Sequence, residues 1–241
     1  MIERPRVGTL GRVTVEWWGA DGAPVVYLVH GWGGWRGHVA GFAPPLVEAG
    51  LRVVSFDALS HGDSEPGVHG PGYSSGGEMI ESLKAVAEFF GPARGVIAHS
   101  LGCGVTARTI LEGGLTTERL ALISPNADMR ELAVRFGRSL GFRARTCDLM
   151  IRDIEGWGRR IADLDVTAMG GQAPLPAPLI VHDRQDKQVP FQTSVDIEAN
   201  WPGSRFVATD GLGHFRVLID PNVIRAATTA ILSDEALPTP P

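Results

Sequence analysis

Short apolar, β-branched runs alternate along the chain with longer stretches whose apolar residues recur at helical spacing. This is the rhythm of strands joined by crossover helices, not of hairpins. It predicts an α/β fold, a mainly parallel central sheet flanked by helices. The strand candidates are Val25 to His30, Val53 to Asp57, Gly95 to His99, Leu120 to Ser124, Leu179 to Asp183 and Arg205 to Thr209. Between them, Met79, Ile80, Leu83, Val86, Ala87 and Phe90 share one helical face over Glu78 to Phe90, and Gly91-Pro92 ends the run. That face is expected on the sheet. Val13 to Trp17 is expected as an antiparallel edge strand and Val223 to Leu232 as a final helix. The proline-containing tail 236–241 cannot continue it and is expected to fray.

One interval breaks the rhythm. Residues from about 126 to 172 separate two strand candidates by far more than an ordinary connection needs, and the proline-rich stretch 173–178 comes directly after them. They read as a small helical cap inserted in a single domain, 1–241. Met129, Leu132, Phe136 and Leu140 fall on one helical face of the cap. Arg130, Arg135, Arg138, Arg143 and Arg145 make its first part basic. Either those arginines form a solvated face balanced by later acids, or they meet an anionic substrate.

Composition narrows the function. With 241 residues and 44% apolar content the chain can bury a full core. Its net charge of −5, from mixed acids and bases, offers no extended basic face, so nucleic acid is not expected as a partner. Two distant cysteines, Cys103 and Cys147, read as reduced thiols, and no stretch resembles a secretory signal or a membrane span. A cytoplasmic protein with no membrane partner is expected. The seven histidines show no zinc-like spacing, so neither metal nor cofactor is expected. No heptad or self-complementary stripe bears on oligomeric state.

In open α/β sheets ligands bind beyond the carboxyl ends of the strands, and polar residues cluster there. The run Gly95-Val96-Ile97-Ala98-His99 passes directly into Ser100-Leu101-Gly102 and then a helical stretch, Cys103 to Leu111. A serine at so sharp a turn needs small residues two before and two after it, and Ala98 and Gly102 are small. Val29-His30-Gly31-Trp32-Gly33-Gly34 comes after another strand, Asp57-Ala58-Leu59-Ser60-His61-Gly62-Asp63-Ser64 after a third, and Asp183-Arg184-Gln185-Asp186-Lys187-Gln188-Val189-Pro190 after a fourth. Gly211-Leu212-Gly213-His214 comes after the last.

Together these segments resemble the α/β-hydrolase fold superfamily, specifically its esterase-like serine hydrolases, from about Val25 to the final helix. The resemblance lapses in the cap. One departure is Ala98, where the pattern G-x-S-x-G has its first glycine. The resemblance implies Ser100 as nucleophile, His214 as general base and Asp186 as the acid that orients it, with Asp183 as the competing acid. It implies that the backbone N–H groups of Trp32 and Leu101 hold the oxyanion. His61 and Asp57 are expected to fix their loop, and Cys103 to pack as a buried apolar group. Serine at position 100 argues against the haloalkane dehalogenases and epoxide hydrolases, which use a carboxylate nucleophile. The implied activity is cleavage of a small or medium-sized carboxylic ester. Thioester, lactone or C–C bond hydrolysis, and a slow-turnover ligand receptor, remain as alternatives.

Overall fold

The structure is a computed structural model that describes residues 2–3, 6–7, 11–126, 128–156 and 159–233. The tail 236–241, expected to fray, lies outside the described residues. Strands are β1 (Ile2–Glu3), β2 (Arg6–Val7), β3 (Gly11–Arg12), β4 (Val15–Trp18), β5 (Val25–Val29), β6 (Arg52–Phe56), β7 (Ala93–His99), β8 (Leu120–Ile123), β9 (Pro178–Asp183) and β10 (Arg205–Thr209). Eight of them form one sheet in the order β1-β4-β6-β5-β7-β8-β9-β10, and β2 pairs with β3 apart from it. From β6 to β10 every pairing is parallel. All six strands expected from the sequence are present, displaced by two residues at most.

The expectation of an edge strand needs correction. The segment is antiparallel, as β4 against β6, yet it is not at the edge, because the two-residue β1 pairs with its free side. A strand that short leaves no periodicity to read.

Helices are α1 (Arg36–Val39), α2 (Ala43–Glu48), α3 (Gly76–Phe90), α4 (Leu101–Leu111), α5 (Met129–Ser139), α6 (Ala144–Glu155), α7 (Val166–Met169), α8 (Gln192–Asn200), α9 (Gly213–Arg216) and α10 (Pro221–Leu232). Helix α3 starts two residues earlier than expected. Ser75 Oγ accepts the Glu78 N–H at 3.2 Å and the Glu78 carboxylate accepts the Ser75 N–H at 3.0 Å, a reciprocal cap that satisfies two orphan donors. Its face Met79, Ile80, Leu83 and Val86 is buried against one side of the sheet, while Val39, Leu46, Val223 and Ile231 cover the other. The central strands are therefore buried on both faces, which is why β5 reads as an unbroken apolar run.

Helices α5, α6 and α7, with a 3-10 turn at Ile161–Leu164, lie between β8 and β9, in the interval expected to be a cap. The apolar face expected on α5 is covered only at its start: Met129 packs on the core and Leu132 is half-buried, while Phe136 and Leu140 are exposed. The contact that joins α5 to α6 instead uses Gly137, where an added Cβ would lie 2.8 Å from Cys147 Sγ.

Candidate active site

Strand β5 lies between β6 and β7, so the chain leaves its carboxyl end toward one side of the sheet and later returns on the other. Connections diverge there and open a crevice. Val29 pairs with Ala98, which sets residues 30–32 beside residues 99–101. At this place Ser100 caps α4 with φ +53° and ψ −125°. Such a backbone costs a non-glycine residue roughly 1–3 kcal/mol, and it projects the side chain off the end of the strand. The turn holds only because its neighbours are small. A Cβ on Gly102 would stand 2.5 Å from the His30 carbonyl oxygen, and one on Gly31 would stand 2.9 Å from Ser100 Cβ. Ala98 is fully buried, so a methyl group is accommodated where a glycine was the expected pattern.

Leu101 opens α4, and among the described residues neither its N–H nor that of Trp32 donates a hydrogen bond. Two donors thus stand free beside Ser100, one of them at a helix N-terminus. Gly33 N–H, by contrast, donates to His61 Nε2 at 3.2 Å.

Beyond β9 and β10 the two remaining site residues meet. His214 Nδ1 donates to Asp186 Oδ2 at 2.7 Å, and both side chains are buried. Asp186 Oδ1 accepts the N–H groups of Gln188 at 2.8 Å and Val189 at 3.0 Å. Burial alone would raise the pKa of this carboxyl. Hydrogen bonds from His182, His214 and the Val189 N–H outweigh it and hold the group well below the ordinary carboxylate range. Asp183, the competing acid, does not reach His214. It accepts from Gln185 N–H, Thr209 Oγ1 and Leu212 N–H, and so ties the β9 loop to the loop that carries His214.

The bond between Ser100 and His214 is not formed: among the described residues Ser100 Oγ has no hydrogen-bond partner. What brings the two loops together is His99, whose Nε2 donates to the His214 carbonyl oxygen at 3.0 Å while the rings lie 4.6 Å apart.

Residues 26–227 match the alpha/beta hydrolase family. The chain belongs to that family. No curated protein sequence matches the chain. Solved structures similar to it include the thioesterase domain from the curacin biosynthetic pathway, at 17% identity and TM-score 0.70, covering 97% of this chain and 99% of that one. Est1E from Butyrivibrio proteoclasticus, solved with ferulic acid, aligns at 20% identity and TM-score 0.71 over 95% and 96% of the two chains. The esterase EaEST from Exiguobacterium antarcticum aligns at 16% identity and TM-score 0.72 over 97% and 100%. At such identities the likeness shows the alpha/beta hydrolase fold alone.

Within this family member, Asp57 and His61 hold loops, as expected. Asp57 accepts the Arg36 N–H at 2.7 Å and the Asp63 N–H at 2.9 Å, and pairs with the Arg36 guanidinium. His61 Nδ1 donates to the Leu59 carbonyl, which leaves Nε2 to accept from the Gly33 N–H. His30 works the same way: Nδ1 donates to Gly31 O at 2.7 Å and Nε2 accepts from Ala58 N–H at 3.0 Å. Cys103 is buried and free, burial pushes its thiol pKa up, and Cys147 is also a free buried thiol. Among the described residues no group of three or more His, Cys, Asp or Glu is placed to hold a metal ion.

Three residues escape sequence reasoning. His182 Nε2 lies 3.3 Å from Asp186 Oδ2 and 3.2 Å from the Val189 carbonyl, both acceptors, so this nitrogen carries a proton, while Nδ1 is hydrogen-bonded with Ser194 Oγ at 2.7 Å. Asp186 Oδ2 thereby receives two donors. His99 and Arg36 are the others. His99 and His182 leave a signal, each a polar residue at the carboxyl end of an otherwise apolar strand, whereas Arg36 leaves none.

A cavity of about 280 Å³ opens beside the 30–34 loop, lined by Trp32, Gly33, His61, Tyr73, Ser74 and, from α6, Ile154. No charged residue lines it, and the cap arginines do not reach it.

Proposed function

We propose that the protein is a serine hydrolase that cleaves a carboxylic ester of a small or medium-sized substrate through an acyl-enzyme on Ser100. His214 takes the Ser100 proton as Oγ attacks the carbonyl carbon. Asp186, bonded to Nδ1, keeps the proton-accepting Nε2 free and stabilises the imidazolium. The Trp32 and Leu101 N–H groups receive the developing oxyanion. His214 then protonates the leaving alcohol, and water activated by the same imidazole releases the acid. The 2.7 Å Asp186–His214 bond carries this reading, standing as it does beside a serine held at φ +53°. The missing Ser100–His214 bond is one that substrate closes, because such contacts are often long before a substrate is bound. The cavity supports an uncharged substrate arm: at about 280 Å³ it is near the lower end of small-molecule sites, and its lining is aromatic and hydroxylic. Esterases among the similar structures agree with the ester assignment. The chain is read as one hydrolase domain with residues 126–172 as its cap, acting in the cytoplasm, where its two free thiols stay reduced.

The test is labelling with a fluorophosphonate, read by intact mass and peptide mapping. A single adduct on Ser100, absent from Ser100→Ala and His214→Ala, is expected. Ser100→Ala should also lower kcat on a short-chain ester by about 10⁶-fold while the fold stays intact. A folded protein that takes no label, or that keeps more than a trace of activity without Ser100, overturns the reading.

A further inference from the structure

The large apolar side chains left exposed are not spread evenly. Of twelve among the described residues, four are on the cap hairpin (Phe136, Leu140, Phe142 and Leu149). Six more lie in the stretches that directly leave β5, β6 and β10, before α1, α3 and α10, whereas Phe89 and Leu232 lie at the far ends of α3 and α10. Ten of twelve therefore occupy the end of the molecule beyond the carboxyl edge of the sheet, where Ser100 opens.

The hairpin tip adds charge. Residues 132–147 contain four arginines and no acid, within a chain whose net charge is −5. Arg135, Arg138, Arg143 and Arg145 are exposed, and none has an ion-pair partner among the described residues, whereas Arg130, Arg159 and Arg160 are paired with Asp148, Glu112 and Asp163. Helices α5 and α6 pack on each other and on the turn at 161–164, so the tip joining them projects from the body. Apolar Phe136, Leu140 and Phe142 alternate there with cations whose methylene stems can lie along a hydrocarbon boundary while the guanidinium stays in water.

We propose that this tip is a docking surface for a membrane bearing anionic phospholipid, with Phe136, Leu140 and Phe142 entering the headgroup boundary and the four arginines facing lipid phosphates. Charge complementarity selects that occupant: an acid-free basic tip with protruding aromatic and leucine side chains has the features of an interfacial anchor. No helix among the described residues is long and apolar enough to cross a membrane. The expectation of no membrane partner rests on that criterion, which does not register a surface that lies on a bilayer.

The experiment is sedimentation of the full chain with vesicles of equal parts phosphatidylglycerol and phosphatidylcholine, and with pure phosphatidylcholine vesicles. Binding to the anionic vesicles only, weakening as salt is raised, is expected. Each arginine near such a surface is worth roughly fivefold in partitioning, so Arg135→Gln with Arg138→Gln should weaken binding about 25-fold. Phe136→Ser with Leu140→Ser should abolish it. Both double variants should keep the wild-type circular dichroism and fluorophosphonate labelling. Vesicle binding needs no turnover, so it stands or falls separately from the hydrolase reading. Equal binding to both vesicle types, no binding, or binding that neither double variant reduces overturns the proposal. So does a concentration-dependent dimer, dissolved by Phe136→Ser with Leu140→Ser, in a protein that ignores vesicles; a second copy would then cover the tip.

Discussion

The oxyanion donor proposed at Trp32 is a backbone group and cannot be deleted, but the structure offers a way to displace it. Gly31 precedes it, and a Cβ at Gly31 would stand 2.9 Å from Ser100 Cβ, 3.2 Å from the His99 carbonyl oxygen and 3.3 Å from His99 Nδ1. None of these can retreat cheaply: Ser100 is fixed in its turn, and His99 is held by its bond to the His214 carbonyl. In Gly31→Ala the 30–34 loop has to give instead, by several tenths of an ångström, and it takes the Trp32 N–H with it. An oxyanion donor acts within a narrow distance range, and losing one costs about 10²–10³ in kcat, or about 2.7–4 kcal/mol. The stability cost of overpacking is smaller, about 1–3 kcal/mol, so the variant should fold. Steady-state kinetics on a p-nitrophenyl ester, beside urea unfolding, separates the two effects. We expect kcat to fall about 10²-fold with KM little changed, because the lost contact exists only in the transition state. A folded Gly31→Ala protein with kcat within a few-fold of wild type would refute the placement of the oxyanion site.

The two aspartates of the β9 loop should separate cleanly. Asp186→Asn should lower kcat by about 10⁴-fold, as loss of the orienting charge does in comparable triads. Asp183→Asn, which loosens Thr209 and Leu212, should cost mainly stability, and a reversed order in kinetics would move the acid to Asp183. Asp57→Ala takes one of three carboxylates from the buried Arg36, leaving Asp63 at 2.8 Å and Glu16 at 3.4 Å, and strips the Arg36 and Asp63 N–H groups of their acceptor, so it should cost about 1–3 kcal/mol in urea unfolding. A loss below about 1 kcal/mol would show that the pair behaves as an exposed one. Stability should also fall on mild acidification. Burial lowers His30 and His99 to a pKa of about 3, whereas in the unfolded chain each takes up a proton near pH 6.5. The unfolded state then binds more protons, so each contributes stability that is full above about pH 6.5 and shrinks by about 1.4 kcal/mol per unit as pH falls toward 3. Urea midpoints that stay flat from neutral pH to about pH 4.5, above the carboxylate range, would contradict this.

Legibility in the sequence tracks burial. Strands β5 to β10 are covered on both faces or end at the site, so each appears as an apolar run closed by a polar residue, and the order Ser100, Asp186, His214 is legible in the residues just past those runs. Helix α3 is legible from its apolar stripe, although its reciprocal Ser75–Glu78 cap is not part of that stripe and sets a start two residues earlier. Elements that draw their stability from contacts distant in sequence leave no such trace. The two-residue β1 exists through pairing with β4, and the four-residue α1 through Arg36, which is bonded to Asp57. The stripe on α5 is a true stripe but is covered only at Met129 and Leu132, because periodicity records which residues share a face and not what meets it.

Four histidines show most plainly what one-dimensional reading misses. His30, His61, His99 and His182 are all buried near the site, and each ring bonds to at least one residue from another segment or further along its own loop. In His30 and His61 one nitrogen donates to a carbonyl and the other accepts a backbone N–H, a pairing that only the neutral ring can make. Burial enforces that neutrality by lowering their pKa values, and His99 is kept neutral in the same way. The consequence for the proposed mechanism is electrostatic. A protonated His99, with its ring 4.6 Å from that of His214, would oppose formation of the imidazolium on which proton transfer depends. The neutral rings of His30, His61 and His99 instead cross-link the loops after β5, β6 and β7 without adding charge, so the positive charge that appears on His214 meets Asp186 as its ionised partner. Loop rigidity and correct charge placement thus come from the same three side chains, which is the arrangement the proposed oxyanion site requires.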